Sequence, residues 1–148
     1  LGIAEKLTDA KVFIDTAPFI YFIEKHSTYL KTLRPVFAGI NSGEIEAMTS
    51  SITLLEVLVH PLKFGDEQLA DKYRQILLYS EGITTYEITN EISEKAASLR
   101  AKHGIKTPDA IQLAAGLIYG ADYFLTNDPE LKNVDGIAVL ILDDYLKR

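Results

Sequence analysis

The chain has no cysteine at all among its 148 residues. Disulfides, thiolate zinc sites, iron–sulfur ligation and a cysteine nucleophile are therefore excluded, and the absence fits a reducing compartment. Long hydrophobic runs are missing too. VFI, FIYFI and LLEVLVHPL fall far short of the ~18 residues that a membrane span needs, and LGIAEKLTDAK has no signal-peptide core. A cytoplasmic protein with no membrane association is expected. Repeats, Pro/Gly-rich linkers and low-complexity tracts are also absent, so residues 1–148 are expected to form a single domain. Composition supports a globular fold, with 47% hydrophobic and 24% charged residues.

Positive charge is scarce. Fifteen Lys and Arg stand against 21 Asp and Glu, giving a net charge of −6, and the basic residues collect locally: Lys25, His26, Lys31 and Arg34 in one segment, Arg100, Lys102, His103 and Lys106 in another. Such a balance argues against a phosphate-binding partner unless bound cations cancel part of the acidic charge. Four acids suggest that they do. Asp15 in KVFIDTAPFIYF, Glu56 in SITLLEVLV, Asp109 in TPDAIQLAAG and Asp128 in YFLTNDPEL are each set in or against an apolar stretch that reads as core-facing. An ionised carboxylate withdrawn from water loses several kcal/mol and needs a positive partner. No matching set of embedded Lys or Arg is available. A divalent cation is the simplest partner, and four oxygen donors suit Mg²⁺ or Mn²⁺ better than zinc.

Hydrophobic periodicity places these acids. Residues 11–15 read as a short buried strand, followed by a helix with Pro18 in its first turn. A second helix spans 28–41, a strand lies around 46–50, and a helix through SITLLEVLV is expected to end near His60-Pro61, because the residue before proline is pushed out of helical geometry. Helices at 66–79 and from Thr89 or Asn90 to His103, strands at 82–88, 121–126 and 137–142, and a helix from Thr107 to about Tyr119 complete the pattern. Alternating strands and helices imply a parallel sheet covered on both faces. In such folds ligands bind beyond the carboxyl ends of the strands. Asp15 and Asp128 follow strands directly, Asp109 opens a helix, and Glu56 lies one to two turns into another, so all four can converge on one rim.

Each acid also has a plainer role open to it. Asp15 and Asp128 stand where helix caps stand, and Asp109 where an acid complements the helix dipole. Glu56 is surrounded by Leu54, Leu55, Val57, Leu58 and Val59, which leaves no polar helix face nearby. Ser50 and Thr53 either orient Glu56 or cap their helix. His26, His60 and His103 sit near helix ends and read as structural or incidental, with His103 having the best claim to touch a phosphate.

The ordered set VFIDT, Ser50-Ser51-Ile52-Thr53-Leu54-Leu55-Glu56, PDA on a small-residue helix, and LTND resembles the PIN-domain family, particularly the VapC-type toxins of toxin–antitoxin pairs. The resemblance covers residues 11 to 142. It implies a three-layer α/β/α sandwich with a central parallel sheet and a metal-dependent ribonuclease using Mg²⁺ or Mn²⁺. It carries the catalytic and metal-binding acids onto Asp15, Glu56, Asp109 and Asp128, the last being the most variable in the family. Supporting roles fall to Thr16, Thr126, Asn127 and Thr53. An RNA substrate, a cognate antitoxin and a homodimer are further implied. A catalytically idle PIN-like module binding RNA or protein is the alternative. Receiver modules and haloacid-dehalogenase phosphatases fit less well, because Asp15-Thr16-Ala17 lacks the acidic pair or DxD that they need after the first strand.

Overall fold

Alternation along short strands sorts the interior side chains onto two faces of one sheet. The computed structural model describes residues 2–146. Strands β1 (Lys11–Ile14), β2 (Glu46–Ser50), β3 (Ile83–Tyr86), β4 (Tyr123–Thr126) and β5 (Ala138–Ile141) are all parallel, in the order β3-β2-β1-β4-β5. Val12, Ile14, Ala47, Leu125 and Leu140 point into one core. Phe13, Met48 and Phe124 point into the other.

Among the described residues seven α-helices cover the two faces: α1 (Ile3–Leu7), α2 (Thr16–Ile23), α3 (Leu30–Ser42), α4 (Ser51–Lys63), α5 (Glu67–Tyr79), α6 (Asn90–His103) and α7 (Thr107–Ile118). Leu7, Phe19, Leu33, Val36, Tyr73 and Leu77 of α1, α2, α3 and α5 fill the first core. Ile92, Leu99, Leu113 and Ala115 of α6 and α7 fill the second, where the rings of Phe13 and Phe124 stack across β1 and β4 with centroids 5.3 Å apart. The three-layer α/β/α architecture expected from the sequence is the one observed.

The order of strands positions the site. The chain winds outward from β1 through β2 to β3, then returns to lay β4 on the other side of β1 and β5 beyond it. Connections therefore leave β1 and β4 in opposite directions, and a crevice opens between their carboxyl ends. Val12 and Phe13 stand in register with Tyr123 and Phe124, and the Asp15 N–H extends the pairing to the Leu125 carbonyl at 2.9 Å.

Two elements depart from expectation. Helix α4 continues through Pro61 to Lys63. A proline there removes one donor in the last turn only, its ring is buried, and the Phe64 N–H closes the helix on His60 and Leu62. Helix α1 is too short to announce itself by periodicity, yet Ile3 and Leu7, four residues apart, are both buried. Between α5 and β3, Gly82 has φ +85°, and a Cβ there would lie 2.8 Å from the Ile40 carbonyl oxygen. Gly82→Ala is expected to lower stability by about 2 kcal/mol, read as a shifted denaturant midpoint.

Candidate functional site

Asp15 is the anchor of the rim. It caps α2 from the end of β1, where its Oδ1 accepts the Thr16 N–H at 2.9 Å and the Gln112 amide at 3.3 Å, while Oδ2 accepts the Thr126 hydroxyl at 2.8 Å. Three donors from three elements fix one carboxylate. Asp128, two residues beyond β4, accepts the Glu130 N–H at 3.0 Å and donates its own N–H to Thr126 Oγ1 at 3.2 Å. The cap readings of Asp15 and Asp128 are thus correct descriptions of their local bonding.

Glu56 and Asp109 come from the two helices that flank the crevice. The Thr16 hydroxyl donates to Glu56 Oε1 at 2.5 Å and so holds α4's acid against α2. Asp109 lies in the first turn of α7 behind Pro108, and its carboxyl group is half-buried. Its pKa is raised to about 6, first by desolvation and then by the charges of Asp15, Asp128 and Glu56, with Lys106 acting in the opposite direction. That mutual repulsion places all four acids in one electrostatic neighbourhood. Among the described residues, no three His, Asp or Glu side chains close on a single point. Glu56 is bonded to the Thr16 hydroxyl and Asp128 to the Glu130 N–H.

Beneath the acids lies a dry polar layer. Thr49, Ser50, Thr53 and Gln112 are each at most 1% exposed. Thr49 donates to the Ile14 carbonyl at 2.8 Å and pairs with Thr53 at 2.9 Å; Thr53 also lies 3.2 Å from the Thr16 hydroxyl. The Gln112 amide donates to Thr53 at 2.7 Å, and its carbonyl accepts the Ser50 hydroxyl, which itself caps α4 by accepting the Ile52 N–H. Buried polar groups of this kind persist because every one finds a partner. Gln112 was not anticipated as a site residue. Its signal was present as the single amide in the otherwise apolar stretch of Ala, Ile, Leu and Gly that follows Asp109, one turn after that acid.

Several expectations need correction. The premise that the four acids are core-facing fails: Asp15, Asp109 and Asp128 are partly exposed and Glu56 is fully in the exposed class. On α4 only Thr53, Val57 and Pro61 are buried, so the apolar residues around Glu56 do not enclose it; Leu55 and Val59 are 61% and 57% exposed. Among the described residues neither Ser50 nor Thr53 hydrogen-bonds Glu56, whose hydroxyl partner is Thr16, while Ser50 caps α4. Asn127 is turned away from the acids, donating to the Tyr29 hydroxyl at 3.1 Å and accepting the Asp143 N–H at 3.0 Å. His26 packs against both rings of the stacked Tyr21–Tyr29 pair, and His60 against Phe64, which fits the structural reading of both.

Comparison with known proteins adds a family match and a fold. A model of the PIN domain matches residues 12–137. No curated protein matches the sequence. Among solved structures, a chain of VapBC2 from Rickettsia felis bound to a promoter DNA fragment superposes with a TM-score of 0.68 at 17% identity, over 88% of this chain and 98% of that one. A chain of a toxin–antitoxin complex from Klebsiella pneumoniae gives 0.67 at 20% identity, over 88% and 97%. VapC20 of Mycobacterium tuberculosis, a toxin that cleaves the sarcin–ricin loop, gives 0.63 at 19% identity, over 76% and 86%.

Proposed function

The chain belongs to the PIN domain family, and on that premise we propose that it is a metal-dependent ribonuclease, the toxin of a toxin–antitoxin pair. Phosphodiester bonds of RNA are hydrolysed at Asp15, Glu56, Asp109 and Asp128. The observation that carries this reading is the convergence of four acids from four elements on the β1–β4 crevice, where burial first and then the charges of Asp15, Asp128 and Glu56 raise the pKa of Asp109.

The donor set fits a hard divalent cation. The four acids offer carboxylate oxygens alone, and among the described residues the one cation acting on Asp109 is Lys106, too little to neutralise four acids. Asp15, Glu56, Asp109 and Asp128 would hold Mg²⁺ or Mn²⁺, which when bound supplies an acidified water and polarises the phosphoryl oxygens. The chain's own part is preorganisation. Thr126, Gln112 and the Thr16 N–H fix Asp15, the Thr16 hydroxyl holds Glu56, and Asp109, its pKa raised to about 6, is only half charged at that pH.

Two surfaces suit protein partners. The stretches 19–41 and 66–79 frame a groove of about 670 Å³ between α2, α3 and α5, floored by Phe22, Phe37 and Ile76 and edged by Lys25, Arg34 and Lys72. An antitoxin segment with apolar residues and acidic flanks would fit it, and the toxin–antitoxin complexes among the structural neighbours support such a partner. Leu55, Val59 and Leu62 on the outward side of α4 suit a homodimer contact.

The test is incubation with structured and unstructured RNA in Mg²⁺ or Mn²⁺ and in EDTA. Cleavage that requires the metal and disappears in Asp15→Asn is expected. Cleavage that persists in EDTA, or in both Asp15→Asn and Asp109→Asn, overturns the mechanism; RNA bound by the wild type but never cut marks an idle binding module instead.

A further inference from the structure

A second cavity adjoins Asp109 from the side of the α6–α7 connection. It has a volume of about 250 Å³ and is lined by His103, Ile105, Lys106, Asp109, Glu130 and Leu131 with the backbone of Gly104. Gly104 turns the chain at φ +67°, and Arg100 Nε pins the turn by donating to the Ile105 carbonyl at 3.1 Å. The opposite wall is the turn after Asp128. The cavity is therefore built from fixed elements and shares Asp109 with the acidic site.

Its lining is chemically mixed in an informative way. Among the described residues, neither Lys106 nor Glu130 has an ion-pair partner. His103 Nε2 is buried with no hydrogen-bond partner, an exception to the rule that buried polar atoms are satisfied. A phosphate is a poor occupant, since two carboxylates face the space. A planar heterocycle with one acceptor edge and one donor edge is a good one, and the volume is that of a small ligand rather than a drug-sized one. Guanine has these edges: O6 and N7 accept, N1–H and the N2 amine donate.

We propose that this cavity takes one unstacked guanine of the RNA, beside the phosphate cut at Asp109, and thereby sets where the strand is cleaved. Lys106 donates to O6 or N7, the Glu130 carboxylate accepts from N1–H and the N2 amine, and the half-buried His103 and Ile105 side chains form the wall against which the ring packs. The inference rests on the ribonuclease reading for its biological sense. Its physical content does not.

The probe is guanosine, which carries no phosphate for the acids to repel. Titrated into the full metal-free chain and followed by NMR, guanosine is expected to shift the signals of His103 and Ile105 and to bind about ten-fold more tightly than adenosine, cytidine or uridine. Glu130→Gln and His103→Ala should each remove that advantage. On unstructured RNA of random sequence with Mn²⁺, wild-type cuts should carry guanine at one fixed position, and Glu130→Gln should flatten the preference while raising KM more than it lowers kcat. Equal binding of all four nucleosides, or a preference unchanged in both variants, overturns the pocket. Guanosine binding without any RNA cleavage supports the pocket and sinks the ribonuclease reading; cleavage with no guanosine binding does the reverse.

Discussion

Asp109→Asn is expected to abolish metal-dependent RNA cleavage and, in the same protein, to raise the melting temperature measured without metal. The two effects share one cause. The Asp109 carboxyl has its pKa raised from 3.8 to about 6 by burial and by Asp15, Asp128 and Glu56. Between those two values the unfolded chain has already lost the proton that the folded chain retains. The stabilising contribution is therefore complete below pH ~4 and is lost as pH rises through about 6, where the native state takes on its fourth negative charge. Asparagine never acquires that charge. With the group only half-buried, the full two-unit equivalent is discounted to about 1–2 kcal/mol at pH 7.5, or a rise of about 4 °C. The margin over wild type should shrink toward zero at pH 4.5. Added Mn²⁺ should stabilise the wild type alone, and activity in the variant should fall by about 10³-fold or more, the scale of losing a charge-stabilising group in the transition state. A variant that melts lower than wild type at pH 7.5 would show that Asp109 is held by structure and not opposed by its neighbours.

Gln112→Leu should be among the most destabilising single substitutions in the site, although its shape is nearly kept. Leucine leaves the Ser50 hydroxyl without its acceptor in a layer that water does not reach, strips Thr53 of one of its three partners, and takes a donor from Asp15. Each abandoned buried group loses about 1–3 kcal/mol, and a total near 3 kcal/mol is expected, seen as a lower midpoint of urea unfolding with unchanged slope. Metal affinity should drop by about ten-fold, because Asp15 is then less firmly aimed. Gln112→Glu distinguishes the two effects. It keeps an acceptor for Ser50 but sets another carboxylate beside Asp15, so its loss of stability should ease as pH falls. A Gln112→Leu protein as stable as wild type would mean that the polar layer contributes nothing to the rim.

The sheet and its rim were legible because their signals are local. VFI and YFLT carry apolar residues on both alternating faces, which only a strand covered twice requires, and Thr107-Pro108-Asp109 announces a helix start by its own chemistry. Features that depend on what lies opposite were not legible. Leu55 and Val59 make Glu56 look enclosed, but whether an apolar flank is covered depends on neighbours that the strip of sequence does not contain. Gln112 is read as ordinary until β2 is laid against α7. Asn127 lies between two residues of the site, and alternation at the end of β4 sends its side chain to the other side. Pro61 forfeits only the N–H that would reach back to the Val57 carbonyl, and α4 absorbs that single loss and closes two residues later.

The pairing of β1 with β4 has a consequence for synthesis. Asp15 leaves the ribosome early, yet the Thr126 hydroxyl that aims it, the Leu125 carbonyl that receives its N–H and the Asp122 carboxylate that receives the Lys11 N–H come more than 100 residues later. Until residues 122–126 have emerged, β1 has an open edge and half its crevice is missing. Contacts this distant in the chain form late. Residues 11–15 therefore cannot take up their final geometry, and Asp15 cannot be aimed, until residues 122–126 have been made and have joined the sheet.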